Sequence, residues 1–268
     1  MRSMIFILAL AALPVNGAEG AWGSFEQGRK AYEKGDFVGA EAAMRAALAQ
    51  DVRVEDAHYF LGLCLERKGD EGARASYLKV TEAYPTFSLA QARVGHLCLK
   101  AKDLEGACRH FEIAVKARPS TDGWLQLGVV EIERKRYVEA EAALKQGEEL
   151  SKGNLEVQDA LARVFLETER FADALARYDA IAKVMPSDTG ARMGRAVCLK
   201  RLERAGEAAE ELQALLKLDP LHTGALALLV ELWSGEPGRA QECDLLKKRL
   251  DWVRKNPPKV TTAPPPAR

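Results

Sequence analysis

Histidines, cysteines and neighbouring carboxylates are the side chains of this sequence that could carry chemistry, as proton shuttles, metal ligands or acid–base pairs. The four histidines, His58, His96, His110 and His222, are far apart in the chain. His58 and His222 flank expected helix starts, and His110 lies beside the apolar Phe111, so each reads as a surface or hydrogen-bonded histidine. Cys64, Cys98, Cys108, Cys198 and Cys243 form no Cys-x-x-Cys pair and no His/Cys spacing of the kind zinc sites use. They read as small buried hydrophobes. An odd count leaves at least one thiol unpaired in an oxidising compartment, and no disulfide is assigned. The carboxylate pairs Glu131/Glu133 and Glu148/Glu149 fall where solvent-facing helix residues belong. There is no glycine-rich phosphate loop, no HExxH and no GxSxG. No enzyme, no cofactor and no metal site is expected.

The charge balance narrows the function classes further. Lys plus Arg and Asp plus Glu are 39 each, giving a formal net charge of zero. A nucleic-acid binder would show a basic surplus, so that partner class is not expected. The chain is 47% hydrophobic and only 7% aromatic, enough for a continuous core of closely packed small residues.

What would position any functional side chain is a periodic scaffold. A small residue recurs at Gly28, Gly62, Gly95, Gly128, Ala162 and Ala196, followed by Val230, with spacings of 34, 33, 33, 34, 34 and 34. A second series keeps the same beat at Ala40, Ala73, Ala107, Ala140, Ala174 and Ala208. Punctuation comes at Pro85, Pro119, Pro186 and Pro220, with Lys152 in the slot where proline is missing. With Trp124-Leu125-Gln126-Leu127-Gly128 as its clearest instance, this pattern of Trp-x-x-Leu-Gly, a later Ala and a closing Pro resembles the tetratricopeptide repeat over about residues 21–255. The resemblance implies an all-α, right-handed superhelical solenoid of about six helix-turn-helix repeats, with a degenerate C-terminal helix pair as cap.

Each repeat should hold two antiparallel helices, A then B. In the third, Ser88 is the expected N-cap, helix A runs to about Lys100, Lys102-Asp103 turns, and helix B stops before Pro119. Gly95 and Ala107 are small because the two helices cross there. The second repeat is one residue short before Ala73 and Tyr77, which predicts a tightened turn. Arg192 and Arg195 in the sixth repeat, and Glu131 in the fourth, occupy slots that the family usually fills with apolar residues. Thr223 to Trp233 reads as a further helix A, residues 234–238 as a turn, and Arg239 to Arg254 as a last helix whose Leu246, Leu250 and Val253 share a face. Its Lys247, Lys248 and Arg249 read as a solvated outer face.

Both ends differ from the repeats. Arg2 followed by the apolar run Met4–Leu13 and small residues to Ala18 has the form of a secretory signal, too short to span a bilayer. The expected organisation is a signal over 1–18, a repeat solenoid over 19–255 and a disordered, Pro-rich tail over 256–268. The protein is therefore expected to be exported, periplasmic or secreted, with no integral membrane span.

The resemblance also implies a concave wall lined by the A helices, whose groove-facing residues fall at about the second, fifth, ninth, twelfth and thirteenth positions of a repeat. The fifth, ninth and twelfth share one helical face. They are Leu125, Val129 and Ile132 in the fourth repeat, Ala92, His96 and Leu99 in the third, and Tyr59, Leu63 and Glu66 in the second. Arg29, Asp159, Arg163 and Lys200 bring charge to either side. The expected partner-binding residues are Tyr59, Leu63, His96, Leu99, Leu125, Val129 and Ile132, forming an apolar strip rimmed by charge for a partner helix or extended peptide. The competing reading is that the fifth and twelfth positions only support neighbouring repeats. Arg29 and Tyr59 do not match the Lys/Asn carboxylate clamp that one subfamily uses. The expected function is a non-catalytic scaffold or adaptor of the cell envelope that binds another protein or peptide. The alternative is a self-assembling homo-oligomer in which Trp233 and Trp252 at exposed ends meet a second copy.

Overall fold

The computed structural model describes residues 17–50 and 55–256. The expected signal, apart from residues 17 and 18, and the expected tail after Asn256 lie outside the described residues. Among the described residues there are fourteen α-helices and no strand, and no helix is long and apolar enough to cross a membrane. The chain forms two compact units, one ending at Pro119 and the other beginning at Ser120.

The first unit holds three helical hairpins. They are α1 (Gly17–Glu33) with α2 (Phe37–Gln50), α3 (Glu55–Lys68) with α4 (Gly72–Ala83), and α5 (Ser88–Lys100) with α6 (Leu104–Ala117). The second holds four. They are α7 (Thr121–Glu133) with α8 (Tyr137–Leu150), α9 (Leu155–Glu167) with α10 (Phe171–Val184), α11 (Thr189–Arg201) with α12 (Ala205–Leu218), and α13 (Thr223–Trp233) with α14 (Ala240–Lys255). Six repeats and a terminal helix pair are therefore present, and the tetratricopeptide-like solenoid class is the fold observed.

The periodic series have distinct physical jobs. Every member of the alanine series is buried. The small residue of helix A makes room for a large side chain one turn beyond that alanine. A Cβ on Gly28 would lie 2.9 Å from Met44, on Gly62 2.5 Å from the Tyr77 ring, on Gly95 3.0 Å from Phe111, and on Gly128 2.5 Å from Leu144. Each closing proline follows a helix end by two residues, at Ala83, Ala117, Val184 and Leu218. At Lys152 the helix ends at the same register, Leu150, and Gly153 at φ +87° makes the turn instead.

The hairpin turns repeat as well. The seventh residue after each small position is left-handed: Gly35, Gly69, Lys102, Lys135, Glu169 and Glu203 all have φ between +59° and +82°. The second repeat keeps this turn whole. Its missing residue is lost from the start of α4, where the Ala73 amide bonds Asp70 three residues back; in the first repeat the Ala40 amide reaches four back to Asp36. Ser88 is the first helical residue of α5 and not its cap; Phe87 precedes it with no capping side chain.

The polar residues in apolar slots are tied down locally. Glu131 is buried, not solvent-facing, and accepts from Arg134 at 3.0 and 3.1 Å. Glu148 is partly buried between Gln158 and Arg177. Arg192 donates to the Pro186 carbonyl at 3.0 Å and to Glu211 at 3.1 Å. Arg195 donates to Glu211 at 2.6 Å and lies 2.7 Å from Asp179, although its Nε–H is not aimed at that carboxylate. Trp233 is in the core under the Arg239 guanidinium, so only Trp252 of the two named tryptophans is exposed.

Candidate functional site

All five cysteines are buried free thiols, and burial pushes Cys64 and Cys198 up to about 11. His110 shares a hydrogen bond of 2.6 Å with the buried Gln91, whose amide donates to the Pro85 carbonyl, so its ring serves packing between α5 and α6. The thiols are enclosed from solvent, whereas all four histidines are partly exposed.

A cleft in the second unit does offer a site. It encloses about 740 Å³ between α7, α9 and the segment running from the end of α10 into α11. Asp122, Leu125, Gln126 and Val129 come from α7, and Leu155, Glu156, Asp159, Ala160 and Arg163 from α9. Ile181, Met185, Asp188 and Ala191 close the far side. Positions four apart on α7 and on α9 put Leu125 with Val129, and Asp159 with Arg163, on the faces turned to the cleft.

The α9 start is fixed by Asn154, whose side chain accepts from the Val157 amide at 2.9 Å; the α11 start is fixed by Asp188, accepting from Ala191 at 2.7 Å. Ser120 and His222 cap α7 and α13 in the same way, at 3.1 Å each. Ser120, Asn154, Asp188 and His222 thus form a fourth series with spacing 34, which the sequence carries openly and the reading above overlooked.

The seven expected binding residues fall in different surroundings. Leu125 and Val129 are brought together in the cleft, Leu125 being 7% exposed and Val129 half-buried against the same core. Ile132 is 8% exposed, packs in that core and does not line the cleft. In the first unit Tyr59, Leu63, His96 and Leu99 are half-buried. Tyr59 packs on Phe60, Tyr77 and Phe87, with ring centroids 5.4–6.0 Å apart, and His96 meets Phe111 edge-on at 5.0 Å.

The expected charged rim also divides. Arg29 is held by Glu26 and Glu33, and Lys200 by Glu231. Asp159 and Arg163 line the cleft, and among the described residues neither forms an ion pair within 4 Å. Asp159 is an exposed residue whose carboxyl is partly enclosed by the cleft, and that partial desolvation raises its pKa, with Arg163 opposing and Asp188 reinforcing the shift. Asp122 and Glu156, missed in the sequence reading, stand at the second repeat position that the family pattern turns inward. Ile181 and Met185 come from the end of a B helix, where the helix-A pattern gives no signal.

With the fold and cleft defined, comparison places the chain among known proteins. The sequence profile described as tetratricopeptide repeat matches residues 25–86, 95–154 and 160–223, and the chain belongs to that family. Its members mediate protein–protein interaction. DnaJ homolog subfamily C member 3 of Bos taurus is 27% identical over 259 residues, covering 93% of this chain and 48% of that protein, so the chain spans about half the length of this relative. Among solved structures, YrrB, described as a TPR protein with an unusual peptide-binding site, matches with a TM-score of 0.65 at 21% identity, covering 70% of this chain and 98% of YrrB. A tetratricopeptide repeat protein from Parabacteroides merdae matches at 0.64 and 14%, covering 88% and 99%. PilF of Pseudomonas aeruginosa matches at 0.64 and 18%, covering 80% and 99%. These likenesses show the fold.

Proposed function

We propose that the protein is a non-catalytic scaffold of the cell envelope that holds a peptide or helix of a partner protein in the α7/α9/α11 cleft. The observation that carries this reading is an open cleft of about 740 Å³ lined by apolar Leu125, Val129, Ala160, Ile181 and Met185 together with charged Asp122, Glu156, Asp159, Arg163 and Asp188. YrrB, a protein of the same fold, is described as having an unusual peptide-binding site, which supports binding as the kind of work done. Export rests on Arg2 and the apolar run Met4–Leu13.

The test is a comparative pull-down from envelope extract using the intact protein and Val129→Trp, which fills the cleft without adding charge. The variant should keep its melting temperature and lose captured partners. Equal capture by both proteins would sink the cleft reading. N-terminal sequencing of protein from a secreting host should begin between Ala18 and Trp22. An intact Met1 on that protein would refute export.

A further inference from the structure

Outside the cleft, several partly buried carboxylates of the second unit are held by cations. Glu141 is bonded by Lys145 and Arg170, Glu148 by Arg177, Asp173 by Arg170, and Glu211 by Arg192 and Arg195. The cleft instead carries Asp122, Glu156, Asp159 and Asp188 against the single cation Arg163. Among the described residues none of those four carboxylates makes an ion pair. Three of them have a local reason to be acidic, since Asp122 and Glu156 stand in the first turns of α7 and α9 and Asp188 caps α11. Asp159 is neither a cap nor a first-turn residue, and its local support is Arg163 four residues on. It lies in the second turn of α9, turned toward the cleft and toward Asp188, where a second negative charge raises the cost of keeping it ionised.

Resting on the reading of this cleft as a peptide site, we propose that its occupant is a cationic segment of a partner protein, presenting Lys or Arg next to apolar side chains and few acids. The charge is complementary: a cation placed beside Asp159 would offset both its desolvation and its repulsion from Asp188. The apolar lining is complementary too, since Leu125, Val129 and Met185 would take the apolar neighbours of that cation. Arg163, one turn beyond Asp159, would sit over the segment's backbone carbonyls or C-terminal side and set its direction. A preference for cations is compatible with the chain's zero net charge, because the surplus of acid is local to the cleft.

The experiment measures fluorescence polarisation of the full-length protein with three labelled peptides that share one apolar pattern. Their polar positions are all Lys, all Gln or all Glu. The Lys peptide should bind at least about tenfold tighter than the Gln peptide and lose most of that advantage at about 0.5 M salt, where the screening length falls to a few ångströms. Asp159→Asn should weaken the Lys peptide several-fold without lowering the melting temperature, and should leave the Gln peptide unchanged. Val129→Trp, or Gln126→Trp should the first fold poorly, should weaken Lys and Gln peptides alike. Should the Gln or Glu peptide bind as tightly as the Lys peptide, and be displaced by the Trp variants, the cation preference is wrong and the peptide cleft stands. Binding of every peptide that ignores both Trp variants, or binding of none, overturns the cleft reading and this proposal with it.

Discussion

Gly128 in α7 faces Leu144 in α8 so closely that a Cβ on the glycine would lie 2.5 Å from the leucine Cγ and 2.6 Å from its Cδ2. Leu144 is fully buried, so it has no room to retreat. Gly128→Ala should therefore cost about 1–3 kcal/mol in chemical denaturation, as overpacking does. The same change at Gly23, a helical glycine with nothing within 4 Å, should stabilise by about 0.5–1 kcal/mol through helix propensity alone. In a double-mutant cycle, Leu144→Ala should relieve part of the penalty at Gly128; strict additivity would show that the two side chains do not share this space.

The hairpin turns store a smaller cost. Lys102, Lys135, Glu169 and Glu203 hold φ near +60°, where a side chain is disfavoured by about 1–2 kcal/mol. Lys135→Gly should raise stability by a few tenths to about 1 kcal/mol, since the glycine gives back some of that gain in chain entropy. Gly35→Ala, at φ +82°, should do the reverse. Thermal melts of both variants check the pair, and a loss of stability in Lys135→Gly would mean the turn carries no strain.

The repeat architecture was legible because its signals are local: small residues, closing prolines and helical spacing recur within each 34-residue unit. What sequence reading missed depends on partners distant in the chain. Arg192 and Arg195 look misplaced in apolar slots until Glu211, on the next helix, is seen between them. Glu131 is the exception, a local case: it reads as a surface carboxylate although Arg134, three residues on, folds over it. Gly128 suggests a helix crossing without saying that Leu144 fills it. The cleft followed the same rule. Leu125 and Val129 could be assigned from repeat position, whereas Met185 reaches the cleft only because α10 ends there, and Ile132 is drawn into the core by α9.

Buried thiols provide a second readout of packing. Cys64 and Cys198 sit at 0% exposure, and burial pushes both thiols up to about 11, so at neutral pH they are protonated as well as enclosed. Alkylation by iodoacetamide should be slow in the native protein and should track unfolding in denaturant. Rapid native labelling at Cys198 would place it in a more open environment than α11 provides.

The His110 ring gives a pH dependence of defined sign. Burial, and then Arg109 and Arg74, hold its pKa below the ordinary 6.5. The unfolded chain therefore binds the proton more readily, and stability is lost as pH falls through 6.5 toward the folded value. Denaturation midpoints should decline over that range, and His110→Gln should flatten the decline while preserving a polar contact to Gln91. An unchanged slope in the variant would remove His110 as its source.

Asp159 works in the opposite sense. Its carboxyl is raised above 3.8 chiefly by burial, with Asp188 adding to the shift and Arg163 opposing it. The folded protein thus holds this proton more tightly than the unfolded chain, so stability falls as pH rises from 3.8 through the folded value, and the cost persists at neutral pH. Asp159→Asn keeps the shape and removes the charge. The variant should be more stable than the parent at pH 7, and the difference should close as pH approaches 3.8. A residue placed only for stability would show the contrary, a loss at neutral pH on substitution. Matched urea titrations of the two proteins at pH 7 and near pH 4 decide it, and a variant less stable at pH 7 would show that Asp159 is supported by contacts stronger than its desolvation cost.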